Sequence, residues 1–293
     1  MLTIKRKLGN FSKARVLPMS PWIRNKATFV ALVVIVASWL GEVSASAQSP
    51  AIQLHPDYSS FFEQAGTVGT VVVMDVHHQT IDVHNVERAA ELFPPASTFK
   101  ILNSLIALET GVVTDVDSHV LKWDGVTRQR PEWNKDHTLR TAIAVSVLPV
   151  YQQIARDVGL KRMTSYLDRA GYGTGEITNE NLDWFWVLKG FRISANEQVQ
   201  FLKKLYLDDL PFSQKTIEAV KDITILERGE DYVLHGKSGW TTDTDPSTGW
   251  FVGWIERGNE ASVFALNMDI NDPSQVPARL TITKNILKVL DLM

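Results

Sequence analysis

An α+β fold, an αβα sandwich with one antiparallel sheet covered by helices, is what the order of segments in this 293-residue chain predicts. Two observations carry that expectation. Strand-like runs stand near the beginning and again near the end, and a long helix-periodic stretch lies between them. No repeat or low-complexity tract interrupts this order. The sheet is therefore expected to be assembled from N- and C-terminal strands, with a helical lobe inserted between them. A site would fall between sheet and lobe.

The first segment, 1–47, reads as a secretory signal peptide. Seven basic residues, from Lys5 to Lys26, precede the uncharged stretch Thr28 to Leu40, and Ala45-Ser46-Ala47 is a small-x-small cleavage pattern. The apolar stretch is short for a membrane span, so no lasting anchor is expected after cleavage. A start at Met19 would give a leader of more ordinary length. Residues 48–293 then form a single domain, exported to the periplasm.

Next come two strands, Thr70 to Asp75 and Thr80 to His84, joined by a turn around His77-His78-Gln79. Helical patterns run from Ser97 to about Lys204, broken at Asp124-Gly125 and Gly171-Tyr172-Gly173. Strands return at Asp231 to His235, Trp250 to Ile255 and Ser262 to Met268, before a helix from Ala278 to Leu290. The leader removes seven basic residues and one acid, leaving 23 basic and 32 acidic residues, a net charge of −9. Nucleic acid is excluded as a partner on that balance. With no cysteine in an exported chain, stability must come from the core, to which nine Trp and twelve Phe contribute.

The most informative residues are Ser97-Thr98-Phe99-Lys100, at the mouth of the apolar run Ile101 to Leu108. Pro94-Pro95 bars a helix before them, so Ser97 is expected in the first helical turn, with Lys100 one turn on along the same face. Apolar residues occur all around this helix, so it and Lys100 should be buried. Burial disfavours the ammonium and leaves a basic amine, which a serine hydroxyl needs in order to attack a carbonyl. Alone, a Ser-x-x-Lys spacing is common by chance. Three further groups accompany it: Ser146 in Val145-Ser146-Val147-Leu148-Pro149, Trp186 in Phe185-Trp186-Val187-Leu188, and Lys237-Ser238-Gly239 at the end of a strand.

This set, in this order, resembles the penicillin-recognising serine enzymes, and most closely the class D, oxacillinase-type, serine β-lactamases. The resemblance extends to Trp133-Asn134-Lys135-Asp136-His137-Thr138-Leu139-Arg140, Pro149 to Arg156 and Asn267-Met268-Asp269-Ile270. It implies a β-lactamase/transpeptidase-like fold and hydrolysis of penicillin-type antibiotics, giving resistance. Ser97 would be the acyl-accepting nucleophile, and Lys100, converted to N6-carboxylysine by CO2 or bicarbonate, the general base. Trp186 would hydrogen-bond that group, although it also suits an aromatic core position. Ser146 would pass a proton from Lys237 to the leaving nitrogen, or cap a helix.

Lys237, Ser238 and Gly239 would bind substrate, with Arg279 as the main partner of its carboxylate unless Arg279 is a solvated helix residue. The N–H groups of Ser97 and Trp240 would hold the oxyanion. No metal is implied, since the histidines lack ligand spacing. The resemblance leaves open a homodimer and two rival activities, a β-lactam sensor and a D,D-peptidase. Three departures stand out: Thr174 after Tyr172-Gly173, Ser238 between Lys237 and Gly239, and the pair Leu148 and Val187, an exchange of volume beside the lysine. Thr174 is expected to fit a left-handed turn poorly.

Overall fold

The computed structural model describes residues 50–188 and 190–293; the expected leader lies outside the described residues. Strand β1 (Ala51–Leu54) and helix α1 (Ser59–Gln64) come first, then the hairpin of β2 (Gly69–Asp75) and β3 (Thr80–His84) and helix α2 (Val86–Ala90). A 3₁₀ turn, Ala96–Phe99, runs into α3 (Lys100–Glu109). The helical lobe holds α4 (Leu139–Ala144), α5 (Leu148–Val158) and α6 (Leu160–Ala170), followed by the short pair β4 (Thr174–Gly175) and β5 (Phe191–Arg192). Helices α7 (Ala195–Tyr206) and α8 (Gln214–Ile223) return the chain to strands β6 (Ile225–Arg228), β7 (Tyr232–Thr241), β8 (Ser247–Arg257) and β9 (Glu260–Ile270), and α9 (Ala278–Val289) closes it.

The main sheet has the order β1-β3-β2-β9-β8-β7-β6, so strands from the two ends of the chain meet at β2 and β9 as expected. Every pairing is antiparallel except the edge strand β1, which runs parallel to β3. The two faces separate by the period-2 alternation of strands. Val72, Trp250, Val252, Trp254, Val263 and Ala265 face α3, α5 and α7 in one core. Val71, Val73, Phe251, Phe264 and Leu266 face α1 and α9 in the other. The sandwich follows from this two-sided apolarity. Burying each indole and benzyl ring in these layers contributes roughly 1.5–3 kcal/mol, against the entropy of ordering it.

Helix α3 is the hub, with every residue from Lys100 to Ala107 buried, as its all-round apolarity predicts. Among the described residues, no helix is long and apolar enough to cross a membrane.

Four expectations need correction. Ser97 sits in the 3₁₀ lead-in, and α3 proper starts at Lys100, because Ala96 before it adopts a left-handed φ of 50°. Among the described residues no α-helix lies in 110–138, which has only a 3₁₀ turn at Pro131–Trp133, or in 171–194, which holds two short strands. In the first, side chains satisfy the backbone locally, as Asp115 does for Asp117 and Ser118, and Asn134 for Arg128. Lys237-Ser238-Gly239 lies inside β7 rather than at its end, since β7 continues to Thr241 beside Thr248 of β8. Thr174 carries no left-handed strain either. The positive φ, 67°, falls on Gly173, and Thr174 is extended opposite Arg192.

Candidate active site

The turn that carries Ser97 is fixed from several sides. Trp250 on β8 donates from Nε1 to Pro94 O at 2.9 Å, and the Ala96 N–H donates to Trp186 O at 2.7 Å. Within the turn, Thr98 Oγ1 donates to Pro95 O at 2.7 Å and accepts from Gln198 Nε2 of α7 at 2.8 Å. Strand β7 passes directly over it. A Cβ added to Gly239 would lie 3.1 Å from Pro95 O and 3.3 Å from Ala96 Cβ, so glycine is the residue that lets Lys237-Ser238-Gly239 approach this closely.

Ser97 is half-buried, and Lys100 Nζ donates to its Oγ at 2.7 Å. Lys100 itself is fully buried, with its Nζ 5.3 Å from the centre of the Tyr151 ring. Desolvation pushes its amine well below the ordinary lysine value, and the nearby charges of Lys237 and Arg130 push it further. The neutral amine expected from the sequence is the form this environment favours.

Around this pair, Trp186 is fully buried and stacks on Phe99, the residue before Lys100, at 5.2 Å. Its indole Nε1 and the Ser146 Oγ are both buried without a hydrogen-bond partner. Orphaned buried donors and hydroxyls cost about 1–3 kcal/mol each, so each of these two groups calls for a partner that the folded chain does not supply. Ser146 caps no helix; it holds a left-handed φ of 59° between α4 and α5, while Val147 takes the N-cap position of α5. Ala96, directly before Ser97, and Ser146 both hold a left-handed backbone that neither residue favours. Leu148, the first residue of α5, and Val187 are both half-buried against the same core.

The third wall is positive. Lys237 is buried and donates to Ser238 O at 3.0 Å, with no bond to Ser146. Burial, and then the charges of Arg279 and Arg130, lower it to about 7. Arg279 projects from α9 and donates to Val276 O at 2.7 Å and to Gly239 O, reaching past β8 where Gly249 leaves room for its stem. Desolvation lowers it to about 10. Among the described residues neither Lys237 nor Arg279 has a carboxylate partner, and both donate to backbone carbonyls instead. Trp240 follows Gly239 on β7, paired with Gly249 and exposed.

The buried charge at Lys237 has a testable cost. The folded protein releases this proton near pH 7, whereas the ordinary value is 10.5. Stability therefore rises with pH across that window, and the penalty is fully present below it. Lys237→Met is expected to raise the thermal midpoint by about 2–4 °C for each kcal/mol of penalty removed, and to flatten this pH dependence. Calorimetry at several pH values, paired with KM measurements, checks both arms, since the same change should weaken substrate binding.

Arg130 escaped the sequence reading; its signal was an Arg directly before Pro131 on the segment leading to Ser146. His78 lies by Asp75 (3.0 Å) and Glu260 (3.8 Å) on the surface, where the Asp75 hydrogen bond raises its pKa. His235 is a core residue stacked on Trp254.

The described chemistry has close counterparts. The sequence profile of the penicillin binding protein transpeptidase domain matches residues 32–288. Beta-lactamase OXA-48 of Klebsiella pneumoniae is 41% identical over 256 residues, 87% of this chain and 95% of that protein. Beta-lactamase OXA-10 of Pseudomonas aeruginosa is 38% identical over 264 residues, 89% of this chain and 97% of that one. Among solved structures, the class D β-lactamase FUS-1 (OXA-85) of Fusobacterium nucleatum superposes with a TM-score of 0.79 at 42% identity, covering 82% of this chain and all of that one. The class D β-lactamase YbXI from Nostoc gives the same TM-score at 41% identity.

Proposed function

We propose, for a chain that belongs to the class D serine β-lactamases, a two-step hydrolysis of the β-lactam amide in which Ser97 carries the acyl group and Lys100 governs proton transfer. The observation that carries the lysine's role is its full burial with Nζ on Ser97 Oγ, and two buried groups in the same site region, Trp186 Nε1 and Ser146 Oγ, are without a partner. They fit a carboxylate on Lys100, which CO2 adds to a neutral amine and which would supply a general base of carboxylate type.

In this reading Ser97 Oγ gives its proton toward the Lys100 side chain and bonds to the carbonyl carbon. The oxyanion rests on the N–H groups of Ser97 and Trp240. The C–N bond then breaks, and the nitrogen takes a proton through Ser146 from Lys237, whose value near 7 suits that task. The proton that Lys100 took from Ser97 then passes through Ser146 to recharge Lys237. Lys100 can therefore take a proton from water as it attacks the ester carbonyl, and give that proton to Ser97 Oγ as the ester C–O bond breaks. Lys237, Ser238 and Arg279 hold the substrate carboxylate throughout. Every proton in this scheme moves through a side chain, so the reaction draws on no metal. Residues 1–47 are read as a removed leader and 48–293 as one exported catalytic domain, with resistance to penicillin-type antibiotics as the outcome.

Steady-state hydrolysis of a chromogenic cephalosporin by the purified protein tests the reading. Many turnovers per Ser97 are expected, and a single stoichiometric burst would make the chain a sensor instead. Trp186→Phe keeps an aromatic ring and removes the donor, so its activity is expected to need several-fold more added bicarbonate than the parent, about what one lost hydrogen bond to a buried anion implies. Titrating activity against bicarbonate in degassed buffer measures it; equal requirements would return Trp186 to a packing role.

A further inference from the structure

The positive charge of the cleft is not confined to the wall that would hold the substrate carboxylate. Arg130 carries a further charge on the segment tied to the chain beside Ser146, since the Trp133 ring under its guanidinium donates from its indole to Val145 O. It belongs to the helical lobe, just before the 3₁₀ turn Pro131–Trp133, and its backbone is extended (φ −93°, ψ 103°), as a following proline favours.

The segment is held firmly. Asn134 closes it on itself, accepting from the Arg128 N–H at 2.8 Å and donating to Arg128 O at 2.9 Å. The Trp133 indole donates to Val145 O at 3.0 Å, one residue before Ser146. The guanidinium of Arg130 lies over the Trp133 ring, its Cζ 4.9 Å from the centroid. Stacking fixes the plane of the fork at little cost in hydration. Glu132 takes only the Nε, at 3.0 Å; among the described residues the two Nη groups carry no hydrogen bond, and the side chain is 54% exposed. A planar, pre-oriented and half-free guanidinium is suited to bidentate capture of a carboxylate or sulfonate.

In a penicillin the ring carboxylate and the acylamino side chain leave the bicyclic nucleus at opposite ends. With the carboxylate on Lys237 and Arg279, the acylamino end is free to reach a second cation, and the half-free guanidinium of Arg130 is one. Resting on the active-site reading given above, we propose that Arg130, stacked on Trp133, is a specificity residue that selects β-lactams bearing a second anion on the acylamino side chain.

The test compares α-carboxybenzylpenicillin with benzylpenicillin, which differ in that one group. The ratio of their kcat/KM values is expected to fall about fivefold in Arg130→Gln, as befits one half-exposed charge-assisted contact, with the change in KM rather than kcat. Arg130→Lys is expected to restore part of the ratio, and added salt to lower it in the parent but not in Arg130→Gln. A ratio that Arg130→Gln leaves unchanged overturns the proposal and makes Arg130 a surface partner of Glu132. Failure of the parent to turn over benzylpenicillin at all would instead strike the active-site reading itself.

Discussion

Ser97→Ala is expected to abolish covalent labelling by penicillin and to lower turnover by on the order of 10⁴-fold or more, the scale seen when a nucleophile is removed from a concerted site. The fold should survive. Ser97 Oγ accepts from Lys100 Nζ, and the turn around it is held by Trp250, Thr98, Gln198 and the Trp186 carbonyl, none of which the change touches. Intact-protein mass spectrometry after incubation with benzylpenicillin reads the adduct, and thermal unfolding reads the fold. An adduct of unchanged stoichiometry in Ser97→Ala would move the nucleophile elsewhere.

The second large effect separates the two chemical steps. Lys100→Ala removes the group to which both Ser97 and the hydrolytic water lose their protons, so turnover is expected to drop by on the order of 10³-fold or more. Any ester that still forms on Ser97 should persist, visible as an adduct that outlasts substrate removal. The change also leaves a cavity in a wholly buried helix, costing about 2–4 kcal/mol in the manner of large-to-small core replacements. Lys100→Met fills that space and restores stability without restoring turnover. If Lys100→Met hydrolysed penicillin at the parent rate, lysine would be a packing residue.

Much of this architecture was legible because it rests on periodicity. The apolar surround of α3 announced its burial, and burial is the largest cause that lowers the Lys100 amine, with the charges of Lys237 and Arg130 adding to it. The β2–β3 hairpin and strands β8 and β9 declared themselves by apolar runs. The position of Lys237 within β7 was hidden because two glycines, Gly236 and Gly239, weaken the strand pattern; their reason is tertiary, the Phe251 ring beside one and the Ser97 turn beneath the other. Segment 110–138 looked helical, but its conformation is set by side-chain bonds to its own backbone. Arg130 was invisible for a related cause, since only the folded loop sets it on Trp133 beside Ser146. The left-handed backbone at Ala96 and Ser146 likewise has no local signature, for neither residue favours it.

The burial of Lys100 against Ser97 Oγ makes its chemical state the centre of the mechanism. The direct measurement is ¹³C NMR of the purified protein equilibrated with ¹³C-bicarbonate. The wild-type protein is expected to show one slowly exchanging carbamate resonance that grows in step with activity on bicarbonate titration and disappears in Lys100→Met. Full hydrolytic activity in bicarbonate-free buffer, with no carbamate resonance at any pH where the enzyme turns over, would contradict carboxylation and leave the uncharged amine of Lys100 as the base.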